Sequence, residues 1–312
     1  MASSGSLRAK RATLIELNPW ARAGLPSLET DQTDAPAAIG HGLFDAGRLA
    51  QARREAARER WAQGYRSWNA WATAMLALRG DISGHPSTVE LWRELATADF
   101  AGVRFRESCD FAGFCFPGPA DFSRAHFGVD AWFNAVHFAD DSDFFQATFD
   151  REGNFERGQF DGRARFDRTR WSGSAQFRQA RFAAGVSFRD ARLDRDAWFT
   201  ETLFAGPTSF AAAQFAGEAG LGRCVYRGET DFSLARFNGN GGFEEARFHA
   251  PVRFEAAHFG RKAWFQQARF DAHASFDRAQ FADAIDFTDV SFVEGPGVVS
   301  EIATRERSAQ GL

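Results

Sequence analysis

Residues 98–293 predict an all-β repeat protein, a solenoid of short strands wound around one interior. Three observations carry this. Phenylalanine is out of proportion, with 35 Phe among 312 residues against 2 Tyr and 2 Met. From Phe100 onward a large residue recurs at alternating steps of five and six, without a slip, through Phe292. A small residue stands two places before almost every one of them.

The unit is eleven residues, xFxxAxFxxxA, present eighteen times with no insertion or deletion. Of its 36 large slots, Phe fills 32, and Leu193, Leu221, Trp171 and Tyr226 fill the rest. Ala takes 19 of the 36 small slots; Phe114 and Ile285 are the misfits. A small residue at i−2 and a large one at i share one face of an extended segment, and the residue between them points outward. That middle position is mostly polar, as at Asp99, Arg104, Asp110, Asp121 and His126. A helix could also carry an eleven-residue period. Gly113, Pro117, Pro119, Gly239, Gly241 and Gly242 fall inside the units, and Gly, Pro, Asp and Asn are poor helix formers. Short strands between turns fit better.

Runs such as ADFSRAHFGVDAWFNAVHF and GGFEEARFHAPVRFEAAHF carry the motif A-x-F-x-x, which resembles the pentapeptide-repeat family. The likeness is greatest to the branch in which Phe replaces the central Leu and alternate repeats gain a residue. The resemblance implies a right-handed quadrilateral β-helix of about nine coils, two units of eleven making one coil of 22 residues. Because every second repeat has an extra residue, the corner geometry and the number of sides per coil stay open at this point. Nine coils at ~4.8 Å per rung give a rod of roughly 43 Å.

Outside the rod, residues 1–43 show no period and read as a flexible arm. A helical N-terminal cap is expected over 44–97. Residues 45–80 read as one helix with Leu49, Trp61, Tyr65, Trp68, Ala72 and Met75 near one face. A second helix start follows at Ser87-x-x-Glu90, a capping box. These helices are expected to close the first coil near Phe100, since a solenoid end exposes core rings and strand edges; a dimerisation or partner helix is the alternative. SWNAWATAM also resembles the W-N-x-W leaders found ahead of some pentapeptide repeats. Residues 294–312 read as a C-terminal cap or tail.

No catalytic, cofactor-binding or metal-binding residue is nominated. The seven His are scattered; His126 and His137 should fall on opposite sides of the rod, and His126 and His258 lie six coils apart, too far to share a metal. Cys109, Cys115 and Cys224 give neither a disulfide framework nor a zinc motif. Cys109 and Cys224 take inward slots, whereas Cys115 points outward. No cofactor or small-molecule substrate is implied. The first 17 residues lack an apolar core of signal-peptide length, and Trp71–Leu78 is too short to span a bilayer. A cytoplasmic, membrane-free protein is expected.

The surface is patterned. The outward slot before each second large residue carries Arg and His and no acid, while the slot before each first one favours Asp. Pairing between these opposite columns is the expected use of the charge. Trp132, Trp198 and Trp264 are all outward and 66 residues apart, three full coils of 22, so they should align on one face about 14 Å apart. Tryptophan is enriched at binding hot spots, which makes the three the candidate partner-docking residues.

The reading that follows is a non-catalytic scaffold that docks an unidentified protein, with a homodimer through a solenoid end as another arrangement the architecture admits. The resemblance supplies the alternative, a DNA-mimicking modulator of gyrase, a topoisomerase. A 43 Å length of duplex carries roughly 25 negative charges. Residues 98–293 hold 28 Asp and Glu against 23 Arg and Lys, a net of −5, which disfavours mimicry. The chain's overall −4 likewise disfavours direct nucleic-acid binding.

Overall fold

The computed structural model describes residues 4–21, 46–107 and 109–293. Among the described residues four helices precede the rod: α1 (Ser4–Leu17), α2 (Ala46–Ala62), α3 (Tyr65–Ile82) and α4 (Pro86–Ala96). Thirty-six strands of two residues follow, from β1 (Ala98–Asp99) to β36 (Ser291–Phe292). They form four parallel sheets of nine strands, each taking every fourth strand of the chain. Partners are 22 residues apart throughout, as in Ala98↔Ala120 and Arg104↔His126. The molecule is therefore a quadrilateral β-helix of nine coils, which settles the number of sides.

The two step lengths make two kinds of corner. In the five-residue step the N–H of the small residue closes a turn on the ring residue's carbonyl, as from Val103 to Phe100 at 3.1 Å. The residue before that donor has positive φ, as at Gly102 (66°), Arg124 (57°) and Ala212 (56°). The six-residue step uses its extra residue to turn with negative φ, except at Gly185 (φ 128°). One left-handed residue per eleven is thus the backbone counterpart of the alternation in the sequence.

Every large slot from Phe100 to Phe276 is buried, whereas Phe281, Phe287 and Phe292 in the last coil are partly exposed. Rings stack face to face along each sheet, as in Phe122–Phe144 (4.9 Å, 2°) and Phe188–Phe210 (5.0 Å, 3°). Ladders from the first and third sheets meet edge to face, with Phe144–Phe155 at 5.3 Å and 88°. Both are favoured aromatic geometries, and the small residues leave room for them. Each small-slot misfit lies in an end coil, where one side has no further rung. Phe114 packs under Trp68 and Tyr65 of the cap, and Ile285 is buried in the last coil.

The helices cover the first coil. Trp61 stacks on Phe111 (5.3 Å), and Trp68 meets Phe100 and Phe116. Polar contacts finish the edge: the Trp68 indole donates to the Cys115 carbonyl (2.7 Å), and Asn69 bonds both the Gly113 carbonyl and the Cys115 N–H. An open strand edge is thereby satisfied by side chains.

Three details differ from expectation. The single helix over 45–80 is two, because Gly64 adopts φ 85° and ends α2; Tyr65 consequently starts α3 half exposed. Ser87 caps nothing: α4 starts at Pro86 with no side-chain cap, and the Ser87 hydroxyl lies 3.2 Å from an Arg11 nitrogen. Part of the expected arm is helix α1, which packs on α3 and α4 and buries Leu14. Long-range polar contacts hold it, including Arg11 to Thr88 and the Trp71 indole to buried Asn18, and these leave no local period to read. Residues 22–43 of the arm, and the expected C-terminal cap or tail over 294–312, lie outside the described residues.

Candidate functional site

Outward side chains in the rod are governed first by the turn they precede. Asp99, Asp110, Asp121, Asp143, Asp231 and Asp286 each accept a hydrogen bond from the backbone N–H two residues on, at 2.7–3.0 Å. Asn154 does the same (3.0 Å). This is the Asx turn that short polar side chains favour. The acidic column is therefore mainly turn chemistry. Most ion pairs in the rod link neighbouring rungs, as in Arg165–Asp143 and Arg253–Asp231, while Arg157–Glu156 and Arg165–Asp167 lie within one rung. They do not join opposite columns, since outward side chains on adjoining sheets diverge at the corner between them.

Trp132, Trp198 and Trp264 occupy that same slot and cannot make the turn bond. They stand on the second, fifth and eighth strands of the third sheet: β7 (Ala131–Trp132), β19 (Ala197–Trp198) and β31 (Ala263–Trp264). All three are half-buried. Trp198 lies over Gly220, where a Cβ would come within 2.5 Å of its ring. The Arg178 guanidinium sits 4.8 Å from the Trp198 ring centre and donates to Gln176 Oε1 (2.8 Å). At Trp132 the surface dips into a shallow depression lined by Asn134, Ala135, Asn154, Glu156 and Arg157.

The third sheet is also the most acidic. The stretches 108–113, 130–135 and their repeats to 284–289 carry eleven acids against Arg157, Arg178, Arg223 and Lys262. The corresponding stretches of the second sheet, 103–107 to 279–283, carry four acids against eight Arg. There Arg170 and Arg192 are in register on neighbouring rungs. Along the third sheet's left-handed corner runs a bonded row: Arg157 to Gln179, Gln179 to Glu201, and Arg223 to Glu245. Glu245 holds the Arg223 guanidinium above its ordinary pKa. Glu218 and Glu244 form no ion pair among the described residues. Burial, with Glu218 and Glu245 nearby, pushes the Glu244 carboxyl above its ordinary pKa.

Cys109 and Cys224 are buried, with their thiols pushed up to about 12 by burial. The rung repeat brings together one group that the linear spacing hides. Cys115 Sγ is 3.7 Å from His137 Nδ1, and His137 Nε2 is 2.8 Å from Asp161. Burial and then Asp161 push the Cys115 thiol up to about 11, so it is not a thiolate at neutral pH. His126–Asp150 on the second sheet repeats the His–Asp spacing with no cysteine beside it, so the pair is a recurring surface bond. Among the described residues no cluster of three or more His, Cys, Asp or Glu could hold a metal ion, and no helix is long and apolar enough to cross a membrane.

The sequence compares with known proteins in one respect. Residues 155–203, 210–258 and 232–280 match the family model described as pentapeptide repeats (9 copies). No curated protein and no solved structure matches the chain. The matched segments lie inside the four-sided rod and share its 22-residue rungs; the chain carries pentapeptide repeats.

Proposed function

We propose that this β-helix is a non-catalytic scaffold that docks a protein partner on its third sheet. The observation that carries the reading is the placement of Trp132, Trp198 and Trp264 in a slot where local structure favours Asp, Asn or Ser. Each Trp forgoes a turn bond of about 1 kcal/mol and leaves a large aromatic partly exposed on an otherwise polar face. Three such positions, in register at equal intervals, form one row.

Charge segregated by face supports docking on one side over mimicry of a duplex, whose charge is spread all round. The test is capture of partners from the native cell by the full chain and by its Trp132→Ser/Trp198→Ser/Trp264→Ser variant. A partner retained by the first and lost by the second is the expected result. Identical capture by both would remove the third sheet from the reading. A parallel gyrase supercoiling assay should show no inhibition.

A further inference from the structure

We infer that the third sheet binds an extended, arginine-bearing segment of a partner protein, its cationic side chains four residues apart and stacked on Trp132, Trp198 and Trp264. This rests on the scaffold reading and specifies its ligand.

The spacing selects an extended ligand. The tryptophans are three rungs apart, ~14 Å at the sheet spacing. A β-conformation advances ~3.4 Å per residue, so four residues span ~14 Å and return the side chain to the same side. An α-helix needs between nine and ten residues for that distance, about 2.7 turns, which leaves successive side chains on different faces. A strand laid along the rod axis can therefore place residues i, i+4 and i+8 over the three rings.

The charge selects a cation. Eleven acids stand against four bases on this sheet, and Glu218 and Glu244, between Trp198 and Trp264, have no ion-pair partner among the described residues. The Glu244 carboxylate occupies the space over Gly242, where a Cβ would come within 2.8 Å of it. With no side chain on Gly242, the Glu244 carboxylate lies over the sheet between Trp198 and Trp264, where a ligand cation can meet it. A guanidinium is the best-matched cation because it stacks on an aromatic face and bonds a carboxylate at once. Arg178 already stacks on Trp198 while bonding Gln176, which shows that the sheet accommodates this contact.

Calorimetry on the full chain at low salt, with synthetic Ser/Thr peptides bearing three arginines, tests the inference. Arginines at every fourth position should bind at least tenfold more tightly than the same composition with arginines at every third, which throws alternate cations to opposite sides. The triple Trp→Ser variant should lose at least tenfold for the first peptide. Arg170→Ser/Arg192→Ser on the second sheet should change nothing. Equal affinity for the two spacings, or undiminished binding by the triple variant, overturns the inference. If neither peptide binds but the Trp substitutions still abolish capture of the cellular partner, the ligand chemistry fails and the scaffold survives. If the spaced peptide binds but the cellular partner ignores the substitutions, the scaffold reading fails instead.

Discussion

The indole of Trp171 fills the space that a side chain on Gly153 would need: a Cβ there would lie 2.3 Å from its ring. Trp171 is the largest occupant of any inward slot, and the rod accommodates it locally. Its indole N–H donates to Thr169 Oγ1 (3.0 Å), and it stacks on Phe149 at 3.8 Å. The next rung on its sheet has Leu193 in place of Phe. Gly153→Ala should therefore destabilise the rod by about 1–3 kcal/mol, as overpacking does. In a Trp171→Phe background the same change should cost less than about 1 kcal/mol, since Ala is the usual occupant of the small slot. Urea denaturation of the four proteins, taken as a double-mutant cycle, measures this coupling.

This pair also marks where the sequence is legible. The five- and six-residue steps disclose the inward rings, the outward slots and the 22-residue coil, because those are periodic. Trp171 and Gly153 are each visible as exceptions, but that one answers the other is a contact across a rung. The same holds for the cap. The aromatic spacing of α3 is readable; the Gly64 break and the anchoring of α1 by Arg11 and Asn18 depend on tertiary partners. On the surface, the alignment of the three tryptophans follows from counting. That the acids beside them are turn caps requires the backbone geometry.

Trp198→Asp restores the side-chain bond made by Asp110 or Asp231, and Trp198→Ala does not. The Asp variant should be about 0.5–1.5 kcal/mol more stable than the Ala variant. Asp231→Ala should lose a similar amount relative to the unaltered chain. An Ala variant as stable as Asp would mean the slot does not cap the turn.

Alkaline pH should weaken the fold through its thiols. Cys109 and Cys224 are pushed from an ordinary value of 9.0 up to about 12 by burial. Above pH 9 the unfolded chain releases these protons while the folded chain keeps them, so stability falls as pH rises from about 9 toward 12. The Tyr226 phenol, buried and held well above 10.0, adds to the fall from pH 10 upward. Cys109→Ala/Cys224→Ala should flatten most of the fall between pH 9 and 10, measured as urea midpoints. An unchanged slope would mean that these thiols are not buried as described.

Residues 22 apart are neighbours on adjacent rungs of the four-sided coil. Ser187 and Ser209 are such a pair, outward and in register on the first sheet, at a strand spacing that a disulfide can bridge. Ser187→Cys/Ser209→Cys, in a Cys115→Ser background, should cross-link under mild oxidation and raise the melting temperature. Ser187→Cys/Trp198→Cys, eleven residues apart and on opposite sheets, should remain reduced. Cross-linking of the second pair and not the first would contradict the four-sided coil and everything built on it.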